Sequence, residues 1–430
     1  MKQQVFKGEI TAFLSLIFVL LLSLVGTMIQ SASIHINKSM KRADTELAME
    51  SVFAEYNTKM LEEYDIFVRV GRDEKEISRR LWFYGAKNME HNIQKIWLLT
   101  DNHGQSFYQQ AVRSMGGEVE EIQTSPERSY EKEEQKVVGA LEEILVEEGQ
   151  SLPWENNPIE LVKQLKQQSL LGLVLPHPEK LSNRYVKLEE LPSHRSLHQG
   201  TENLGNSVNG NGAEKLLFTA YLTEHFPDYT KGSTVHSLFY EAEYLLCGCS
   251  SDEENLEAVA KKLLTVRTTA NYTYLLTDQV RQAEAETMAL GLCSLLTAPV
   301  ATTLVKQAIL FAWAYGESIL DLRVLFRGER IPLVKTNENW QLQLTSLFQL
   351  GTLEEIGEEG GAAEGLSYGD YIHIFLFAED KEALCMRALD LLELNLGIRV
   401  DGCVTALEIK STYKMQRGII DTFLTDYQYE

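Results

Sequence analysis

The sequence predicts an α+β fold, mainly helical: a long N-terminal transmembrane and stalk helix, then an extracytoplasmic helical domain with a small antiparallel sheet. Three observations carry this. No charged side chain occurs from Ile10 to Ile34, and no Gly or Pro from Thr27 to Val70. Much of the remainder repeats its apolar residues at helical spacing. Two short stretches, Ser237 to Cys247 and Val404 to Met415, alternate as strands do.

The N-terminal run comes first. Its centre, Phe13 to Val25, reads FLSLIFVLLLSLV. At 1.5 Å per residue, about 20 apolar residues cross a ~30 Å hydrocarbon core. A helix does so unaided because it satisfies its backbone polar groups internally. Residues 1–9 are expected as a cytoplasmic tail and 10–30 as the span, in a cell membrane with the bulk outside. The tail and the stretch after the span carry similar positive charge (Lys2 and Lys7 against Lys38, Lys41 and Arg42), so the charge rule is nearly balanced. The short tail favours N-in. A cleavable signal peptide, cut near Ser31 and Ser33, is the competing reading, although the uncharged run is long for one. Phe13, Leu16, Phe18, Leu22 and Gly26 are the positions expected to meet lipid or neighbouring helices, with small and polar residues aiding close packing.

The helix is expected to continue as a stalk over 31–66. Ile36, Met40, Ala43 and Leu47 recur at spacings of 4, 3 and 4. Met49, Phe53, Tyr56, Met60 and Tyr64 continue the pattern after a slip. An apolar stripe follows, for a partner helix or for the chain's own domain.

Residues 67–199 form a first extracytoplasmic region. Glu74 to Trp97 has helical periodicity, as do 128–149 and 158–171, the last opened by Pro158. Six of the nine prolines fall in 126–192 and mark turns. Gly200 to Gly212 (GTENLGNSVNGNG) reads as a linker over 200–213, and 357–365 as an acidic, glycine-rich loop. Region 214–430 follows. It has a strand near 240, a helix capped at Ser251, helices near 268–291, 300–326, 367–378 and 380–396, and a strand at 404–415 that pairs with the one near 240.

Composition bounds function. The chain has 430 residues, 44% of them hydrophobic, with 40 basic against 62 acidic side chains and a net charge of −22. That acidity argues against nucleic acid as a partner. Five cysteines make no disulfide scaffold. Cys247, Cys249 and Cys403 admit a disulfide or soft-metal pair, with ordinary buried thiols as the alternative. His194 and His198 have metal-compatible spacing, set in a Pro- and Gly-flanked loop. No phosphate-binding, nucleophile-elbow or zinc-protease motif is present, and no catalytic, cofactor-binding or metal residue is assigned. The acidic runs 118–121, 131–134 and 354–359 read as solvated faces.

One polar group stands out. Ala308 to Tyr315 is apolar all round and predicts a central helix, yet Glu317 and Asp321 follow on it at i and i+4. Buried acids need cations, and Arg323, Arg267 and Arg281 are candidates. A structural ion-pair network of Glu317, Asp321 and Arg323 is expected; a paired-carboxylate hydrolase is the alternative and would need a solvent-open cleft at the pair.

Several blocks in order resemble a family of uncharacterised single-span bacterial membrane proteins, whose genes accompany Tad or Flp-type pilus and type II secretion-like genes. They are KGEITAFLSLIF (7–18), SVFAEY (51–56), Leu99-Thr100-Asp101 with Gly104 and Phe107, LPSHR (191–195), WAYGES (313–318) and PLVKT (332–336). The anchor also resembles, more distantly, the TadE and TadG pseudopilins, in which a basic residue and Gly precede the hydrophobic helix. Lys7-Gly8 fits, and Gly8 would be the processing position. The acid expected within the helix is absent, with Phe at 13 and Glu9 nearby. The resemblance implies a non-enzymatic pilus or secretion component, partnered by lipid and by apparatus proteins through the N-terminal helix. A membrane-anchored ligand- or wall-binding module is the alternative. It predicts a pocket lined by Trp313, Tyr315 and Trp340.

Overall fold

A computed structural model describes residues 6–116, 158–175, 177–201, 212–232, 236–296, 302–349, 364–415, 418 and 420–429. The chain divides into two compact units. Unit 1 comprises Met1–Asn102, His198–Asn206 and Asp401–Glu430; unit 2 comprises His103–Leu197 and Ser207–Val400.

Unit 1 is organised by α1 (Phe6–Phe53), 48 residues without a break. At 1.5 Å per residue it is about 70 Å long. Its stretch from Thr11 is long and apolar enough to cross a membrane, and none of its most apolar window is buried by protein. The helix ends at Phe53, short of the stalk expected over 31–66. Asn57 intervenes: its side chain accepts from Met60 N (3.0 Å) to cap α2 (Thr58–Tyr64), and its own N–H donates to Val68 O (2.8 Å). Tyr56, Met60 and Tyr64 therefore belong to a turn and a second helix. Next come β1 (Arg69–Val70), α3 (Glu74–Phe83), β2 (Glu90–Leu98), and, from the far end of the sequence, β3 (Cys403–Lys414) and β4 (Ile420–Gln428).

The long helix expected over 74–97 stops at Phe83. Gly85 (φ +118°) and Asn88 (φ +59°) turn the chain, and Ile93 then pairs with Ile409. β3 is the central strand. β2 takes one edge antiparallel, and β4 takes the other (Ile409 opposite Thr425), with β1 continuing beside Cys403 and Val404. As the alternation predicts, Leu407, Ile409, Ser411 and Tyr413 are buried. Leu407 and Ile409 join Ala48, Met49, Val52 and Phe53 of α1 and Ile77 and Leu81 of α3 in one core. The last turns of α1 are thus core of a folded sheet unit. The start of the expected linker is pinned to β2: Thr201 N donates to Ile96 O (3.0 Å), and Ile96 N donates to Thr201 Oγ1 (2.8 Å). A Cβ at Gly200 would fall 2.2 Å from Ile96 O, so only glycine permits this approach.

Unit 2 is helical. Its helices are α4 (Asp101–Ser114, mostly in this unit), α5 (Pro158–Gln167), α6 (Leu170–Val174), α7 (Gly212–His225), α8 (Glu241–Cys247), α9 (Asp252–Thr277), α10 (Gln279–Leu296), α11 (Thr302–Phe326), α12 (Tyr368–Ala378) and α13 (Lys381–Leu396). α11 is central and buried on every side from Ala308 to Leu322. Ser251 caps α9 as expected, accepting from Glu254 N.

The segment near 240 is α8, not a strand, and does not pair with β3. Its alternation of acid and apolar residues misled because both faces are buried: Glu241 and Glu243 are as enclosed as Ala242 and Tyr244. The expected helix over 128–149, the three acidic runs and most of the two glycine-rich loops lie outside the described residues.

Candidate functional site

Four charged side chains meet around α11. Glu317 and Asp321 are fully buried, as are Arg267 of α9 and, nearly so, Lys335. Lys335 Nζ lies 2.7 Å from Glu317 Oε1 and 2.7 Å from Asp321 Oδ1. Arg267 Nε donates to Asp321 Oδ2 (3.0 Å), and its Nη1 donates to the carbonyls of Pro332 and Leu333. Glu317 also accepts from the backbone N–H of Gln341 and Leu342. Two acids and two cations thus offset one another, with most oxygens in hydrogen bonds, as a buried charge cluster requires. Burial pushes the Glu317 carboxyl up, against the pull of Lys335. For Arg267, burial is the largest influence and opposes the charge, but Asp321 and Tyr371 together outweigh it and raise the guanidinium.

The network expected at Glu317 and Asp321 exists, but Arg323 is not its cation: Arg323 Nε donates instead to Leu173 O (2.8 Å). Three residues C-terminal to Leu320, it points round the helix from Asp321. The sequence reading missed Lys335, which acts from a loop 14 residues along the chain and carries no periodic signal. Since both carboxylates are sealed, the solvent-open cleft that a paired-carboxylate hydrolase needs is not formed at this pair.

A second cluster surrounds Asp390. Ser193 Oγ lies 2.5 Å from Asp390 Oδ2 and 2.7 Å from His194 Nδ1, and Tyr244 OH donates to the same Asp390 oxygen. With Asp390 ionised, the hydroxyl proton goes to the carboxylate and Ser193 accepts from the imidazole. That is the reverse of nucleophile activation, in which the histidine accepts the serine proton. His198 pairs with Asp401 (2.8 Å) within unit 1. Among the described residues no group of three or more His, Cys, Asp and Glu could hold a metal ion. Cys247, Cys249 and Cys403 form no disulfide with one another, and burial pushes the Cys247 thiol up to about 12, far from a reactive thiolate.

Of the three expected aromatic residues, two come together. Trp313 and Trp340 pack edge to face (5.8 Å) beside an open groove, both indole N–H groups donate to Leu342 O, and Arg281 lies 5.0 Å over the Trp340 ring. Tyr315 faces a different, smaller cavity with Phe311 and Thr268.

Glu243 is buried with Oε1 accepting from Tyr368 OH (2.6 Å) and Tyr229 N (2.8 Å), while Oε2 has no partner. Burial pushes this carboxyl up to about 8. The folded state therefore holds a proton that the unfolded chain releases near its ordinary value of 4.5. Its influence on stability is most favourable below that value and declines as pH rises to about 8. Glu243→Gln is expected to remove this slope. Denaturant midpoints between about pH 5 and 8 should fall with pH more steeply in the parent than in the variant.

The residues expected at the anchor lie on the uncovered part of α1. Phe13, Leu16, Phe18 and Leu22 are each more than half exposed, and no atom lies within 4 Å of a Cβ built at Gly26. Gly8 falls within α1.

A model for a family of unknown function, DUF5702, matches residues 148–415. No curated protein and no solved structure matches the chain.

Proposed function

The chain belongs to the DUF5702 family of unknown function, and on that footing we propose that it is a non-enzymatic, membrane-anchored extracytoplasmic component, pseudopilin-like or accessory, of a Tad-like pilus or type II secretion-type apparatus. One observation carries the reading. A single unbroken helix leaves its apolar N-terminal half uncovered, while its C-terminal turns are core of an antiparallel sheet. Such a helix both anchors in lipid and presents side chains for lateral assembly, with the folded body fixed to its outer end. The N-terminus is cytoplasmic in this reading.

Removal of residues 1–30 is expected to leave a folded, soluble chain that no longer co-purifies with membrane partners. The same experiment separates a second reading, a wall- or ligand-binding module using the groove at Trp313 and Trp340. That module would keep its partner after the truncation, and such retention would overturn the assembly role.

A further inference from the structure

Beyond the lipid, α1 has two opposite faces. Thr45, Ala48, Met49 and Val52 face the sheet and are buried. At about 100° per residue, Ile29, Ile36, Met40 and Leu47 fall on one line along the other side. Ile36 is 59% exposed, Met40 58% and Leu47 61%. Their spacings of 7, 4 and 7 keep one seam facing one way, as a packed helix pair needs. In the span, Phe18 and Leu22 continue the same line.

Lipid does not reach the outer part. With the apolar run ending near Gln30, Met40 lies about 15 Å and Leu47 about 25 Å further along the helix. The charges beside the stripe share one sign: Asp44 on one flank, Glu46 and Glu50 on the other. Every cation of this stretch lies on the far side. Lys38 pairs with Asp421 (2.7 Å), Lys41 lies 3.4 Å from Asp44, and Arg42 stacks over Phe423 (5.6 Å). Two parallel copies of α1 joined along the stripe would set Glu50 against Glu50 and the Glu46 flank against the flank that carries Asp44, which is unfavourable.

We infer that the outward face of α1 over residues 29–50 docks a helix of a different membrane-anchored protein, one with an apolar heptad seam flanked by Lys or Arg. This rests on the assembly reading above and names the kind of partner it takes. Apolar contact at Ile36, Met40 and Leu47 supplies adhesion, and Glu46 and Glu50 supply selection.

The test uses the full-length chain in phosphatidylcholine vesicles and two synthetic helices of equal length. Each has Ile and Leu at the seam positions; one is flanked by Lys, the other by Glu. The Lys-flanked helix is expected to bind at least tenfold more tightly, less so in high salt. Leu47→Asp, at an exposed position, should abolish binding without altering the helical circular dichroism. Glu46→Lys with Glu50→Lys should reverse the preference. Equal binding of the two helices, or binding unaffected by Leu47→Asp, overturns the proposal. So does a photo-crosslinker at Leu47 that joins two copies of this chain. If these failures occur while residues 1–30 still govern co-purification, the stalk partner is wrong and the assembly role stands.

Discussion

Lys335→Met is expected to destabilise unit 2 by roughly 3–5 kcal/mol, the usual cost of removing one partner from a buried charge cluster. The argument is a charge count. Glu317, Asp321, Arg267 and Lys335 are enclosed at 0%, 0%, 0% and 1% side-chain exposure and sum to zero. Methionine approximates the lysine stem in length, so the cavity term is small and what is lost is the ammonium. One carboxylate is then uncompensated. Asp321 keeps Arg267 and the Asn271 amide (2.9 Å), whereas Glu317 keeps backbone N–H groups and no cation. Because burial already pushes Glu317 up, the variant should take up a proton there. Adding Glu317→Gln to Lys335→Met should accordingly recover part of the loss, a coupling that two independent sites would not show. Thermal or denaturant unfolding of the four proteins of the cycle measures it. Additive losses would mean that Lys335 holds the loop at Asn339 (3.0 Å to its carbonyl) rather than the acids.

That cluster also marks where the sequence was legible. Glu317 and Asp321 declare themselves because acids in an apolar helix must be paired. Arg267 could be named as one candidate among several. Lys335 could not, because nothing local ties a loop lysine to helix acids 14 and 18 residues earlier. The same division holds for the fold. α1, the Ser251 cap and β3 follow from local rules: an uncharged run, a cap residue before acids, strict alternation. β2 is masked by its polar residues and by a bulge between Ile93 and Lys95, which breaks the two-residue period. α8 alternates in sequence but is buried on both faces by neighbours distant in the chain, so its period carried no inside or outside. The pairing of β3 with β1 and β2 depends on segments more than 300 residues away, a tertiary choice beyond local propensity.

Phe53→Ala should be the most damaging single change in unit 1, at about 3–5 kcal/mol for a buried phenylalanine. Phe53 is 1% exposed, stacks on Tyr427 at 4.4 Å and meets Tyr429 edge-on at 5.1 Å, while the Tyr429 hydroxyl donates to the Phe53 carbonyl at 2.5 Å. These contacts join the last turn of α1 to the end of β4 and to Tyr429 just after it. Removing the ring leaves a void where α1 and β4 meet, with Lys38–Asp421 and Arg42 over Phe423 as the remaining ties on the exposed side. Pairs of that kind contribute little individually. β4 has a strand partner on one edge, so it should open first. Amide exchange over 420–428 is expected to accelerate by two orders of magnitude or more, while α11 in unit 2 is unaffected. Met40→Ala, at an exposed stripe position, should change the same exchange by less than about a factor of three. If Phe53→Ala leaves β4 protected, the end of α1 is not what holds the sheet.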